Sequence, residues 1–313
     1  MNKSILLTAL AVLLVAGCAG VELPFQQITT TAIGGAGMVI TDFSADPTTV
    51  NSNSNVRVMM TVSNKGGAPV PDTSSLVYLT GSAISLSDTT GTYWHSSTET
   101  SQFKHFGKTM NPEDTVRGTP ADEKMITWSL TAPNATRSDI FIGRVYYDYQ
   151  TSVTGTVWVY SQSESDAARA AGRTLNKATL SATSGPVALT VKTSPDPVVL
   201  STGENTFAMT IKVSNVGGGA LYKVGAVTYT SGSEDITLTT DELNRVDIAV
   251  SAPGMTVAGC TGEQELVAGK DITLSCDVTI TSPPTTFQGY PVTVTATYGY
   301  NAERTASVTV QKR

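Results

Sequence analysis

The sequence predicts an all-β chain, built as two tandem antiparallel β-sandwiches joined by a short helical linker. Three observations carry this expectation. An apolar strand ending in Ser-Asn-x-Gly-Gly occurs twice, in Val56 to Val70 and in Phe207 to Leu221, with Ser63-Asn64 and Ser214-Asn215 lying 151 residues apart. Tyr147-Asp148-Tyr149 and Tyr298-Gly299-Tyr300 share that offset. Short alternating apolar runs recur between Gly, Asn and Pro turn signals, with a single helical stretch. At 313 residues the chain has room for about two domains. Charged residues are 15% of the chain, against roughly 25% in ordinary soluble domains. Ser, Thr and Val fill the difference, which suits strands with a hydroxyl-bearing face. A net charge of −6 and the lack of any Lys/Arg cluster argue against a nucleic-acid surface.

The first segment reads as an export signal. Lys3 supplies a positive start, Ile5 to Val15 is an apolar run too short for a stable membrane span, and small residues follow. The stretch Leu14-Val15-Ala16-Gly17-Cys18 resembles the lipobox of bacterial and archaeal lipoproteins. The resemblance implies a signal peptide over residues 1–17, cleavage before Cys18 and lipid on the Cys18 thiol. Residues 18–37, rich in Gly and Thr, are then a lipidated tether that holds the folded part clear of the bilayer. Lipidation of Cys18 leaves Cys260 and Cys276 in an oxidising compartment. They are 16 residues apart and are expected to form a disulfide. Closing such a loop contributes about 3 kcal/mol in the chain-entropy account.

The first sandwich is expected over residues 38–161. Val39 to Phe43 opens it, and Asp46-Pro47 leads to the Asn/Ser turn cluster Asn51 to Asn55. In the strand that follows, Val56, Val58, Met60 and Val62 alternate with Arg57, Met59, Thr61 and Ser63, so one face is apolar. Asn64-Lys65-Gly66-Gly67 is a turn suited to positive φ. Strands are then read at Leu76 to Thr80, Met125 to Leu130, Ile140 to Tyr149 and, closing the sandwich, Thr156 to Tyr160. Between Gly81 and Thr119 lies a long, poorly periodic insertion containing Tyr93, Trp94, His95, Phe103, His105 and Phe106.

Residues 162–186 read as the linker. A helix is expected from Ser163 to Gly172, with Ser163 as cap, Asp166 supporting it, and Gly172 ending it before Ser184-Gly185-Pro186. The second sandwich is expected over residues 187–313. Asp196-Pro197 repeats Asp46-Pro47, and Phe207 to Ser214 repeats the alternating strand. Val224 to Thr230 is read as the counterpart of Leu76 to Thr80, because Tyr229 stands 151 residues after Tyr78. Ile272 to Ile280, Val292 to Tyr300 and Ala306 to Val310 complete the set.

About seven short strands per half is the pattern of an immunoglobulin-like sandwich. The paired Tyr residues suit a role in which the ring enters the core and the hydroxyl bonds backbone. Asp46-Pro47-Thr48-Thr49-Val50 with Val62-Ser63-Asn64-Lys65-Gly66 resembles the CARDB-like family of extracellular modules. So does Asp196-Pro197-Val198-Val199-Leu200 with Val213-Ser214-Asn215-Val216-Gly217. The chain as a whole is similar to archaeal surface lipoproteins. These resemblances imply an adhesion, spacer or scaffold role at the outer face of the cell membrane or in the cell envelope.

Chemistry-bearing patterns are sparse. His95 and His105 lack the ligand spacing of a metal site, and no Gly-x-Ser-x-Gly, His-Glu-x-x-His or Walker-type loop is present. Gly217-Gly218-Gly219 lies between two strands, so it reads as a turn and not a phosphate cradle. Glu234-Asp235 and Asp241-Glu242 lack the repeat of a calcium loop. No cofactor, metal or enzymatic activity is therefore expected. Tyr93, Trp94, Phe103 and Phe106 are the candidate contact surface, against the alternative that they form a local core. Asn134-Ala135-Thr136 is a candidate glycosylation site. The leading expectation is a non-catalytic lipid-anchored surface protein for adhesion, scaffolding or ligand capture, with an unidentified protein or glycan partner. The rivals are a binding subunit of an exported transport, secretion or pilus-like assembly, and a secreted hydrolase using His95, His105 and the loop acids.

Overall fold

The computed structural model describes residues 35–312 apart from Ser82. The expected signal peptide, Cys18 and most of the expected tether lie outside the described residues. The first half contributes β1 (Met38–Asp46), β2 (Thr49–Asn51), β3 (Asn55–Asn64), β4 (Ser75–Gly81), β5 (Phe103–Lys104), β6 (Glu123–Thr131) and β7 (Arg137–Ser161). Helix α1 (Gln162–Ala170) and β8 (Thr179–Ala182) follow. The second half contributes β9 (Val187–Ser194), β10 (Val198–Leu200), β11 (Thr206–Asn215), β12 (Ala220–Tyr222), β13 (Arg245–Ser251), β14 (Met255–Ala258), β15 (Gly262–Glu265), β16 (Asp271–Ile280) and β17 (Phe287–Gln311).

The protein is all-β, and its sandwiches are antiparallel apart from two short edge pairings. One small sheet, β1-β3-β6, and another, β14-β16-β11-β9, pack on a ten-stranded sheet whose spine is β15-β13-β17-β7-β4-β5. At the centre, β7 and β17 are each 25 residues long and pair antiparallel over their whole length, from Phe287↔Tyr160 to Val310↔Arg137. Inward residues alternate along both strands, interrupted in β17 at Ala302, Arg304 and Ala306. Phe141, Val145, Tyr147, Tyr149, Val153, Val157 and Val159 face in from β7, and Val292, Val294, Ala296, Tyr298, Tyr300, Val308 and Val310 face in from β17. Both small sheets therefore cover the same face of the large one, and a single core runs through both halves.

The long ladder means that the two halves exchange their last strands. In the first half, β4 pairs with the beginning of β7 (Leu76↔Tyr146), and the neighbour of β7 there is the end of β17. The short β2 runs parallel to that end, at Val50↔Val310. In the second half the roles reverse: β13 pairs with the beginning of β17 (Ile248↔Ala296), and β10 runs parallel to the end of β7 at Val198↔Val159. Each sandwich is thus closed by a strand that begins in the other. The boundaries expected at 161 and 187 leave out this sharing, since β7 and β17 each serve both sandwiches.

This corrects two expectations. Thr156 to Tyr160 is not a separate strand but the continuation of Ile140 to Tyr149, and it completes the second sandwich. Ala306 to Val310 likewise continues Val292 to Tyr300 and completes the first. Between Tyr149 and Thr156 the sequence is Gln150-Thr151-Ser152-Val153-Thr154-Gly155, which lacks a two-residue hairpin signal and is rich in strand formers. Gly155 marks a close crossing and not a turn. A Cβ there would overlap the Thr179 carbonyl of β8.

Two smaller corrections concern local signals. The helix begins one residue earlier than expected, and its cap is Ser161, whose Oγ accepts a hydrogen bond from Glu164 N at 3.2 Å. Gly172 does end it, at φ +66°, with Arg173 N donating to Ala168 O. Val224 to Thr230 is not a strand. The structural counterpart of β4 is β13, because each pairs with the beginning of a long strand. The second half carries about twenty extra residues before β13, so the matching offset of Tyr78 and Tyr229 has no structural meaning.

Candidate functional site

The repeated turn and the repeated tyrosines form one device, used twice. Asn64 Nδ2 donates to Ala68 O at 2.8 Å, and Asn215 Nδ2 donates to Gly219 O at 2.9 Å. Each turn places main-chain N–H groups against a tyrosine from the central ladder. Gly67 N and Ala68 N donate to the Tyr149 hydroxyl at 2.8 and 3.0 Å, and Gly219 N donates to the Tyr300 hydroxyl at 2.6 Å. The approach requires glycine. A Cβ on Gly66 would collide with the Tyr149 hydroxyl, and one on Gly217 with that of Tyr300. The expectation of a ring in the core with its hydroxyl on backbone therefore holds for both Tyr149 and Tyr300.

The four tyrosines pack as a cluster between the two small sheets. Tyr149 is opposite Tyr298 and Tyr147 is opposite Tyr300, with Asp148 opposite Gly299 at the centre. Ring centroids lie 5.8 to 6.4 Å apart. A local two-fold axis passes through the Asp148–Gly299 pair, exchanging Tyr147 with Tyr298 and Tyr149 with Tyr300. Burial raises the hydroxyl pKa of all four.

On the outer face of the same ladder, insertions from both halves meet. Residues 223–243 lie over the centre of the large sheet. Their Tyr229 hydroxyl donates to Asp148 Oδ1 at 2.9 Å and is 2.7 Å from the Tyr222 hydroxyl, and Tyr222 donates to Tyr147 O at 3.3 Å. Gly299 permits this, since a Cβ there would overlap the Tyr222 ring. From the other insertion, Phe103 stacks on Tyr78 at 4.6 Å, and His105 Nε2 lies 3.2 Å from Glu234 Oε1. Leu76, Tyr146, Tyr222, Val227 and Tyr229 make a second, smaller core here. Burial pushes the Asp148 carboxyl up to about 6, although the Tyr229 hydrogen bond favours its charged form.

The four aromatics expected to form a contact surface do not stand together at the surface. Trp94 and Phe106 are fully buried. Trp94 Nε1 donates to Asp139 Oδ2 at 2.7 Å, its ring meets Phe141 edge-on, and Arg137 holds Asp139 at 2.6 Å. Phe103 is half-buried against Tyr78, and Tyr93 alone is exposed, at 45%. The reason is physical: the insertion folds back along β6, with Ser96 Oγ on Ser129 O and Lys104 Nζ on Thr127 O, so its large rings close the end of the first sandwich. The local-core alternative describes Trp94 and Phe106.

The other candidate residues are dispersed. His95 contacts Tyr93 O, Glu99 pairs with Lys104 and Asp114 caps its own turn, so they do not converge with His105. Among the described residues, no group of three His, Cys, Asp or Glu side chains lies close enough to hold a metal. Cys260 and Cys276 form a buried disulfide with Cα atoms 5.1 Å apart, tying the loop after β14 to β16. Asn134 is exposed on the turn before β7. The sequence reading missed the outer-face exposure of Phe287, which is 49% exposed and packs on half-buried Trp158 and, at 5.7 Å, on the buried Tyr160. Its signal was the register of β7 against β17, which no single segment contains.

No protein-family model and no curated protein matches this chain. Several solved structures are similar to it, two of them surface proteins. One is the D0-D1 domain of intimin, at 8% identity over 88% of this chain and 96% of that one, with a TM-score of 0.18. The other is the Yersinia pseudotuberculosis adhesin InvE, at 14% identity over 86% of this chain and 58% of that one, also with a TM-score of 0.18. Likeness at this level carries no argument about function.

Proposed function

We propose that this is a non-catalytic cell-surface protein, held at the membrane by lipid on Cys18, whose paired sandwiches present a stiff platform for adhesion, scaffolding or ligand capture. The observation that carries the proposal is the full-length β7–β17 ladder. It joins two sandwiches through one sheet and one core, where tandem modules on a linker would move independently. Such a unit transmits position from a tether to an exposed face. The lipobox-like Leu14 to Cys18 stretch and the disulfide fit an exported setting. The exposed Phe287, with half-buried Trp158 beside it, is an aromatic contact strip of the kind protein and glycan partners use.

The test has two arms. Metabolic labelling with a fatty acid is expected to mark the wild-type protein and not Cys18→Ala, with release of the variant from the membrane fraction. Labelling of Cys18→Ala equal to wild type overturns the anchor. Surface cross-linking is expected to capture a partner that Phe287→Ser and Trp158→Ser lose. Capture unchanged by both overturns the contact strip.

A further inference from the structure

The two central strands are covered unequally along their outer edges. The local two-fold axis relates each position of β7 to the one 151 residues later in β17, as Tyr147 to Tyr298. The edge of β7 that faces away from β17 is covered in turn by β4, β8 and β10. Within it, β8 pairs Val153↔Ala182, Thr154↔Ser181, Gly155↔Leu180 and Thr156↔Thr179. The matching edge of β17 is covered by β13, then by β12 as far as Asn301, and again by β2 from Thr309. Residues 302–308 between them have no ladder partner on that side among the described residues, so β8 has no described mate. Val153, beside β8, is 1% exposed, whereas its mate Arg304 is exposed, as are Glu303 and Thr305. Arg304 is bonded to Thr41 O of β1 at 2.8 Å, and a cavity of about 180 Å³ lined by Ala36, Gly37, Ala302 and Glu303 among others adjoins this edge. An uncovered run of strand offers its N–H and C=O groups to another strand.

We infer that this edge is the docking site of the chain's own residues 28–32, which precede the described residues, and that they pair antiparallel with β17 as the mate of β8. The sequence repeats at the required place. Thr179-Leu180-Ser181-Ala182 leads to Gly185 as Thr29-Thr30-Thr31-Ala32 leads to Gly35. The spacing is 150 residues, the same as between Asp46-Pro47 and Asp196-Pro197. The chain also arrives at the required place, since Gly35 N donates to Gly185 O at 3.1 Å. From Gly185 the chain runs back along β7 as β8, and the two-fold equivalent path from Gly35 runs back along β17. Threonines suit an edge strand whose outer side is solvated. One difference limits the match. Gly155 allows the Thr179 carbonyl to come close, and Ala306 stands in its place, so the pairing is centred on Arg304↔Ala32 and Thr305↔Thr31 and ends before Ala306. Docking leaves residues 19–27 as the free part of the proposed tether, a reach of at most about 30 Å. The pairing itself does not depend on lipid at Cys18.

The experiment uses the full chain with Cys18→Ala, which leaves Cys260 and Cys276 as its only cysteines. In amide hydrogen exchange, the amides of residues 303–307 that face away from β7 are expected to exchange about tenfold or more slowly than in a Thr31→Pro variant or in a chain lacking residues 28–32. Under mild oxidation, Thr31→Cys with Thr305→Cys is expected to form a link within one chain. Thr31→Cys with Thr154→Cys is expected to form none, because Thr154 is the mate of Thr305 and is already beside β8. Equal exchange in all three chains overturns the docking, as does the absence of a Thr31–Thr305 link or an equal link to Thr154. A link found only between two chains gives the edge to a second copy and overturns the pairing within one chain.

Discussion

The two halves of this chain use the same turn, the same tyrosines and the same closing strand, but they are finished differently. The first half closes its end with an aromatic insertion in which Trp94 is buried against Phe141 and bonded to Asp139. The second half uses a covalent link, Cys260 to Cys276, and spends its extra residues on a loop that reaches across to the first half through Tyr229 and Glu234. The comparison separates what the architecture needs from what each half adds. The Asn-turn, its glycines and the Tyr hydroxyl are required twice because they hold each small sheet to the shared ladder. Packing rings and a disulfide are alternative ways to secure the remaining loops.

The largest expected effect comes from removing the packing of the first half. Trp94→Ala leaves a large void and removes one of the two donors on Asp139, and should destabilise the protein by about 3–5 kcal/mol in chemical denaturation. Cys260→Ser with Cys276→Ser should cost about 3 kcal/mol. Because the ladder is common property, both changes should lower the unfolding midpoint of the whole chain. Two separate transitions, with only one of them moved, would show that the halves are finished and stabilised separately.

A smaller effect is expected at the repeated device. Tyr149→Phe and Tyr300→Phe each take the acceptor from part-buried main-chain donors, and each should cost about 0.5–1.5 kcal/mol. Tyr149 accepts from two amides and donates to Ser184 O, so its loss should be the greater of the two, as read by urea midpoints.

The smallest effect concerns Asp148, which stands at the centre of symmetry. Its folded-state value of about 6 lies above the ordinary 3.8, so the folded protein keeps a proton that the unfolded chain has released between these values. Stability from this group should therefore fall as pH rises from about 4 to about 6 and stay level above that. Asp148→Asn should raise the melting temperature above pH 6 and change it little below pH 4. A gain that is the same at every pH would remove the buried carboxylate from the explanation.

Much of this was legible in the sequence. The strand alternation of Val56 to Val62, the Ser-Asn-x-Gly-Gly turns and the paired tyrosines marked both halves and even the hydroxyl-to-backbone role, because each signal is local in period and spacing. The strand exchange was not read, though its trace is present. Nothing between Tyr149 and Thr156 can turn the chain, but a missing turn becomes informative only when a partner strand of equal length is known. Trp94 and Phe106 looked like surface aromatics because burial in an irregular loop has no period to reveal it. The false counterpart at Val224 to Thr230 arose from a coincidence of spacing that the extra residues before β13 produced.

The central claim is that the exchanged strands make one cooperative unit of both sandwiches. Native-state hydrogen exchange on the Cys260→Ser, Cys276→Ser double variant tests it most directly, because the lesion lies wholly in the second half. The account predicts that protection of the first-half amides of Val58, Met60 and Val62 in β3 falls by the same free energy as that of Met209, Ile211 and Val213 in β11. Protection lost in β11 while β3 keeps its wild-type value would contradict it.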